Sequence, residues 1–208
     1  MGHFFQVHPQ DPQPRLIAQA VAVMRAGGLI AYPTDSCYAL GCHMGNKVAM
    51  ERIRRIRQID ARKHLTLLCR DLSEIASYAR VDNTAYRFLR SLTPGPYTFV
   101  LKATREVPRR LQDPRRKTVG IRIPNHRICQ ALLRSLGEPL MSSTLIPPGA
   151  DLPLTDPRII QERLGGQIDL VIDGGSGGIE PTTVIDLTED IPRLVRRGLG
   201  DVTGIELA

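Results

Sequence analysis

The chain has 208 residues, 42% hydrophobic and 24% charged, which is enough for one well-buried core and fits a single globular domain over residues 1–208 better than two. No apolar run approaches the roughly 20 residues a membrane-spanning helix needs, and the opening MGHFFQVHPQ lacks the basic-then-apolar order of a secretory leader, so a soluble cytoplasmic protein with no membrane partner is expected. A formal net charge of +7 points to an anionic partner, either nucleic acid or a phosphate-bearing small molecule.

In chain order, Leu16, Ile17, Ala20, Val21 and Met24 recur at helical spacing behind Pro14, and Gly27-Gly28 supplies a stop, so residues 14–26 are predicted as an amphipathic helix. Residues 29–32 read as a short apolar strand. Pro33-Thr34-Asp35-Ser36 cannot continue a strand interior, so polar side chains gather where that strand ends. Ala49, Ile53 and Ile56 mark a helix over 47–58 whose other face carries Arg52, Arg54 and Arg55. Residues 65–69 form a buried strand, Asp71 with Glu74 makes a capping-box-like start for a helix to about residue 78, and Asn83 is expected to cap the next.

After the break at Pro94-Gly95-Pro96, residues 97–102 and 118–123 read as strands joined by the basic connector REVPRRLQDPRRK. Asn125 is expected to cap a helix through residue 136, which Gly137 ends. Residues 139–143 form a brief strand that opens into the loop STLIPPGADLPLT, and Asp156-Pro157 starts a helix to 164. The last strands are 169–173, 182–187 and 193–196, with GGSGG between the first two. Strands alternate with helices through most of the chain, which predicts an α/β fold with a mixed sheet flanked by helices.

Several chemistries find no support. Cys37, Cys42, Cys69 and Cys129 are scattered without a C-x-x-C, so buried free thiols are expected. The five histidines form no H-x-x-x-H or carboxylate-backed set, so no metal site is predicted, and most should lie at the surface. GGSGG lacks the G-K-[ST] of a phosphate loop and reads as a plain flexible turn. What does recur is a hydroxyl or cation beside a strand end: Thr34, Asp35 and Ser36; Lys63 and Thr66; Arg122; Ser142 and Ser143; Thr182 and Thr183; Arg196. If these ends converge they form a concave site suited to phosphates and a small carboxylate.

These residues carry a resemblance. GG with YPTDSCYALGC resembles the opening of the YrdC/YciO superfamily, TPGPYTFVL is similar to its W-P-G-P-T segment, and GIRIP, PTTVIDLT and the closing VRRG match in order over residues 14–201. FFQVHPQDPQPRLI and CRDLSEIASY are most similar to the YciO branch. The resemblance implies a YrdC-like fold, a twisted mixed sheet around a basic groove. It also implies the superfamily's best-known reaction: L-threonine, bicarbonate and ATP give threonylcarbamoyl-adenylate and pyrophosphate for tRNA modification, with Mg²⁺ carried by the nucleotide and no protein-bound metal. By motif position, Arg57 and Lys63 would be catalytic cations, and Thr34, Tyr38, Thr66, Arg122, Ser143, Thr183 and Arg196 would bind substrate or nucleotide.

Two motifs depart from the pattern. Where family synthases carry K-x-R the chain reads Arg57-Gln58-Ile59, and where they carry S-x-N it reads Ser143-Thr144-Leu145. Each change removes a polar contact worth roughly 1.5 to 3 kcal/mol, so weak or altered synthase activity is expected. The alternative is a double-stranded RNA or tRNA binder that uses the basic groove without catalysis. The connector over residues 105–117 and the arginines of residues 52–57 favour it, and the 4% aromatic content disfavours single-strand stacking.

Overall fold

The computed structural model describes residues 2–60 and 65–205. The first half of the chain runs β1 (His3–Gln6), α1 (Pro14–Arg25), β2 (Ile30–Tyr32), β3 (Ala39–His43), α2 (Lys47–Arg57), β4 (Thr66–Leu68), α3 (Leu72–Tyr78) and α4 (Asn83–Leu92). Then come β5 (Tyr97–Lys102), a 3₁₀ turn (Arg109–Leu111), β6 (Thr118–Arg122), α5 (Arg127–Leu136), β7 (Leu140–Thr144), α6 (Pro157–Leu164), β8 (Leu170–Asp173), β9 (Thr183–Asp186) and β10 (Arg193–Arg196). The strands form one sheet in the order β1-β8-β2-β3-β7-β4-β6-β5-β9-β10, with parallel and antiparallel pairs interspersed.

Local chemistry accounts for the helix ends. Pro14 opens α1, and Gly27, at φ +90°, supplies the left-handed turn behind it. Asn46 caps α2 by accepting from Ala49 N–H at 2.9 Å. Two expected caps move by one residue. Asp82, not Asn83, caps α4, because its carboxylate reaches the N–H groups of Thr84 and Ala85. His126, not Asn125, is the first residue of α5's cap and makes no side-chain bond there. Asn125 instead gives its N–H to Asp35. Glu74 bonds Arg70 N–H one residue before the cap Asp71, so that capping box is only half formed. β1 and β3 have no counterpart among the predicted strands; both are short, and β1 takes its place by parallel pairing with β8.

Strand alternation divides the sheet into two faces. On one, Ala31, Leu40, Leu67, Met141, Ile121 and Phe99 join Ala49, Met50 and Ile53 of α2, Ile75 of α3 and Leu89 of α4 in a single core. On the other, Ile30, Tyr32, Leu140, Leu170 and Ile172 pack against Ile17, Val21 and Met24 of α1 and Ile128, Leu132 and Leu136 of α5. These two helices cover the β8-β2-β3-β7 part of that second face and reach Leu68 at the end of β4. Over β4, β6, β5 and β9 it carries Thr66, Gly120, Thr118, Thr98 and Val184, which belong to neither core and floor an open groove. No helix among the described residues is long and apolar enough to cross a membrane, and all four cysteines are free and buried, as expected.

Candidate functional site

The groove encloses a cavity of about 310 Å³, at the lower end of the range for small-molecule sites. Its floor is the sheet itself. Ser142 of β7 stands opposite Thr66 of β4, Thr66 opposite Gly120 of β6, and Gly120 opposite Val100 of β5. A side chain at 120 would sit 3.5 Å from Thr66 Oγ1, so the glycine leaves a hollow between hydroxyls. Thr98 and Thr182 close one end with an Oγ1–Oγ1 hydrogen bond of 2.9 Å. The strand-end hydroxyls and cations do converge: Thr34, Ser36, Thr66, Arg122, Ser142, Ser143, Thr182 and Arg196 all line this cavity. Between them the floor is a row of strand side chains, Ser142, Thr66, Gly120 and Val100, set side by side across both parallel and antiparallel pairs.

The turn Pro33–Ser36 is one wall. Thr34 Oγ1 accepts from the N–H groups of Ser36 and Cys37 at 3.1 and 3.2 Å and donates to Cys37 O at 2.7 Å, so this hydroxyl braces the turn while facing the cavity. Asp35 is held by Arg122 of β6 in an ion pair whose side chains are only 8% and 10% exposed. The charge of Arg122 is thus neutralised, although its Nε is buried without a partner.

Two further arginines reach the cavity with no carboxylate partner among the described residues. Arg57, in the last turn of α2, donates to Ile146 O just beyond β7, and its Nε is also buried and unpaired. Arg196 donates to Thr182 O at 2.8 Å. Burial lowers the pKa of both guanidinium groups, which stay charged. Arg196 owes its direction to a bulge: β10 pairs Leu194 with Ile185 and then Arg196 with Val184, leaving Val195 extra. Without that insertion Arg196 would face Thr183 and point to the opposite side of the sheet.

Of the residues picked by motif, Thr34, Arg57, Thr66, Arg122, Ser143 and Arg196 line this one cavity. Lys63 lies outside the described residues. Two do not reach it. Thr183 is fully buried, donating to Gly200 O at 2.7 Å and accepting from Gly198 N–H at 3.0 Å. Its neighbour Thr182 takes the groove position, because adjacent strand residues face opposite sides. Tyr38 is also fully buried; its hydroxyl donates to Gly175 O at 2.7 Å behind the Pro33–Ser36 turn.

That contact corrects the reading of GGSGG as a plain flexible turn. A Cβ at Gly177 would stand 2.7 Å from Tyr38 Cδ2 and one at Gly178 only 2.2 Å from Ser36 O, so the glycines permit close packing against the groove wall. The two departures from the family pattern also separate. Ile59 lines the cavity, whereas Leu145 is 1% exposed and belongs to the core.

Ser36, Ser142 and Thr182, singled out by their place beside strand ends and not by motif, also line the cavity. Strand parity gives a further signal in β5 and β6, where Thr98, Val100, Thr118 and Gly120 are the small residues alternating with bulky Phe99, Leu101, Val119 and Ile121. Cys37 also lines the groove, but burial raises its thiol pKa and its Sγ–H bonds Glu180 O, which makes it a poor nucleophile. Among the described lining residues there is no carboxylate or imidazole, and the groups they offer are guanidinium and hydroxyl donors.

The family model described as Sua5_yciO_yrdC, Telomere recombination, matches residues 22–198. The uncharacterized protein YciO of Escherichia coli K12 is 56% identical over 202 residues, covering 97% of this chain and 98% of that one. Its crystal structure superposes with a TM-score of 0.94 over 98% of both chains. A threonylcarbamoyl-AMP synthase of Thiobacillus denitrificans is 36% identical over 168 residues, 80% of this chain and 88% of that one. The structure of P. abyssi Sua5 complexed with L-threonine is 28% identical, with a TM-score of 0.83 over 94% of this chain and 57% of that one. The chain belongs to the Sua5/YciO/YrdC family, and its mixed sheet with an open, arginine-lined groove is the YrdC-like fold.

Proposed function

We propose that the groove binds ATP and L-threonine and, with bicarbonate, forms threonylcarbamoyl-adenylate, releasing pyrophosphate and water, at a rate below that of family synthases. The observation that carries this reading is the pair Arg57 and Arg196: two partly buried cations without a carboxylate partner among the described residues, at a hydroxyl-lined cavity. Such cations are matched by phosphate or carboxylate oxygens. The relation to a threonylcarbamoyl-AMP synthase and the L-threonine in the Sua5 complex supply the substrate classes.

Catalysis in such a site rests on positioning and on stabilising the charge of the departing pyrophosphate. Arg57 and Arg196 would offset phosphate charge, while Thr34, Thr66, Ser143 and Thr182 would orient the amino acid and the carbamoyl oxygens. Divalent magnesium takes oxygen ligands, usually including carboxylates. The side-chain oxygens of the described lining are hydroxyls, so the ion would ride on the nucleotide phosphates. Ile59 stands where family synthases place a second cation, which is why a reduced rate is expected. Calorimetric titration with ATP and with L-threonine tests the binding half of this reading; absence of heat with both at millimolar concentration would refute it.

A second reading has its own observation. Arg105, Arg109, Arg115 and Lys117 of the connector are exposed, a basic surface suited to the phosphates of an RNA duplex. The arginines of α2 support it less than their sequence suggests: Arg52 bonds Asp169 and Gln167 O, Arg54 bonds Glu51, and Arg57 turns into the groove. Duplex RNA affinity that falls steeply with salt and drops on substituting these four side chains would favour it; salt-independent binding would exclude it.

A further inference from the structure

Tyr32 is fully buried beside the groove, on the half of the same sheet face that α1 and α5 seal. It lies on β2 opposite Ala39 of β3, whereas Ser142 of β7 stands opposite Gly41. To reach Ser142 the tyrosine ring must therefore lie diagonally across β3, and it crosses at Gly41: a Cβ there would be 2.6 Å from Tyr32 Cε1. The glycine opens a lane between strands, and at its far end Tyr32 Oη and Ser142 Oγ are 2.7 Å apart.

The direction of this hydrogen bond follows from counting protons. The phenol carries one proton, burial raises its pKa so that it stays protonated, and the described residues offer it no acceptor besides Ser142 Oγ. If Ser142 donated to Tyr32, the phenolic proton would be buried with no partner, which costs the full desolvation of that donor. If Tyr32 donates to Ser142, the serine proton is displaced from that line. Ser142 lines the cavity, where water or ligand can accept it. Only the second arrangement satisfies both protons.

We infer that Tyr32 is a positioning residue: it donates to Ser142 Oγ, so that Ser142 presents its own proton to the groove, and this point of the floor selects a hydrogen-bond acceptor, a carboxylate, carbonyl or phosphate oxygen, over an N–H or O–H donor. The ligand side of the inference rests on the groove being a substrate site; the direction of the hydrogen bond does not. Gly41 is part of the same device, since any side chain there would push the ring out of line.

Two measurements test it. Neutron diffraction from deuterated, ligand-free crystals should show deuterium on Tyr32 Oη directed at Ser142 Oγ, with the Ser142 deuterium turned to the cavity; a Ser142 deuterium lying on the line to Tyr32 would overturn the inference. Titration with L-threonine and with ATP should show Ser142→Ala weakening the ligand that reaches the floor by roughly tenfold and Tyr32→Phe by about threefold. In the Ser142→Ala background Tyr32→Phe should then cost nothing more, because its effect passes through the serine. Equal losses in both backgrounds would reduce Tyr32 to a core residue. If neither ligand binds the unaltered protein, the proposed function fails, and the neutron map still decides the relay.

Discussion

Arg57 donates to the backbone carbonyl of Ile146, so the cation at the end of α2 is joined to the first turn of the loop that follows β7. The guanidinium thereby holds a groove wall in place while lining the cavity. Replacing Arg57 by alanine should weaken ATP binding about 10- to 100-fold, the loss of a charge-assisted contact of roughly 1.5 to 3 kcal/mol. Lysine should restore only part of it, because a point charge cannot reproduce the planar fork. Calorimetric titration of the two variants checks this, and unchanged affinity in Arg57→Ala would remove Arg57 from the site.

Ile59 and Leu145 are equivalent as departures from the family motifs but not in space. Ile59→Arg places a cation at the cavity and should fold normally and tighten ATP binding. Leu145→Asn places an amide in the core, where it replaces apolar contacts and lacks partners, so it should lower stability by about 2 to 4 kcal/mol. Urea unfolding of both variants distinguishes them; a Leu145→Asn protein as stable as the parent would contradict the buried placement.

Adjacent threonines should divide binding from stability. Thr183→Ala removes a buried hydroxyl that bonds Gly200 O and Gly198 N–H, at a cost of about 1 to 3 kcal/mol and with little change in ligand affinity. Thr182→Ala removes one cavity-facing hydrogen bond, to Thr98 Oγ1, and should weaken ligand binding while costing less stability than Thr183→Ala. The opposite pattern would mean that β9 is out of register.

Asp186 supplies a pH test. Burial alone would raise its pKa, but hydrogen bonds from Thr188 and the ion pair with Arg116 more than offset this and hold it below the usual carboxylate range. A carboxyl with a depressed folded-state pKa stabilises the fold above its unfolded value of about 3.9 and loses that contribution as pH falls through the folded value. Asp186→Asn should therefore cost about 2 kcal/mol at pH 7, and its deficit should shrink progressively below about pH 4. A deficit that stays constant from pH 7 to pH 3, measured by urea unfolding, would contradict the depressed pKa.

Most of the fold was legible because its signals are local. The apolar period of α1 and α5, the Asp156-Pro157 start of α6 and the alternation in β5 each follow from a few neighbouring residues. The site was legible only in part, because membership depends on which face a strand residue takes. Thr182 and Thr183 are chemically the same, and parity alone decides between them. Arg196 reaches the groove through a bulge at Val195 that no local pattern announces, and Tyr38 resembles a wall contact in sequence yet braces that wall from behind. Ser142 stood among the strand-end hydroxyls, but the motif points to Ser143, and the row Gly41, Ser142, Thr66, Gly120 appears only when four strands are placed side by side.

The most direct measurement is product formation. Purified protein incubated with ATP, L-threonine, bicarbonate and Mg²⁺ should release pyrophosphate only when threonine is present and yield threonylcarbamoyl-adenylate, more slowly than the Thiobacillus denitrificans synthase assayed alongside. The activity should be lost in Arg57→Ala. No product above a boiled control, under conditions in which that synthase turns over, would contradict the proposed reaction.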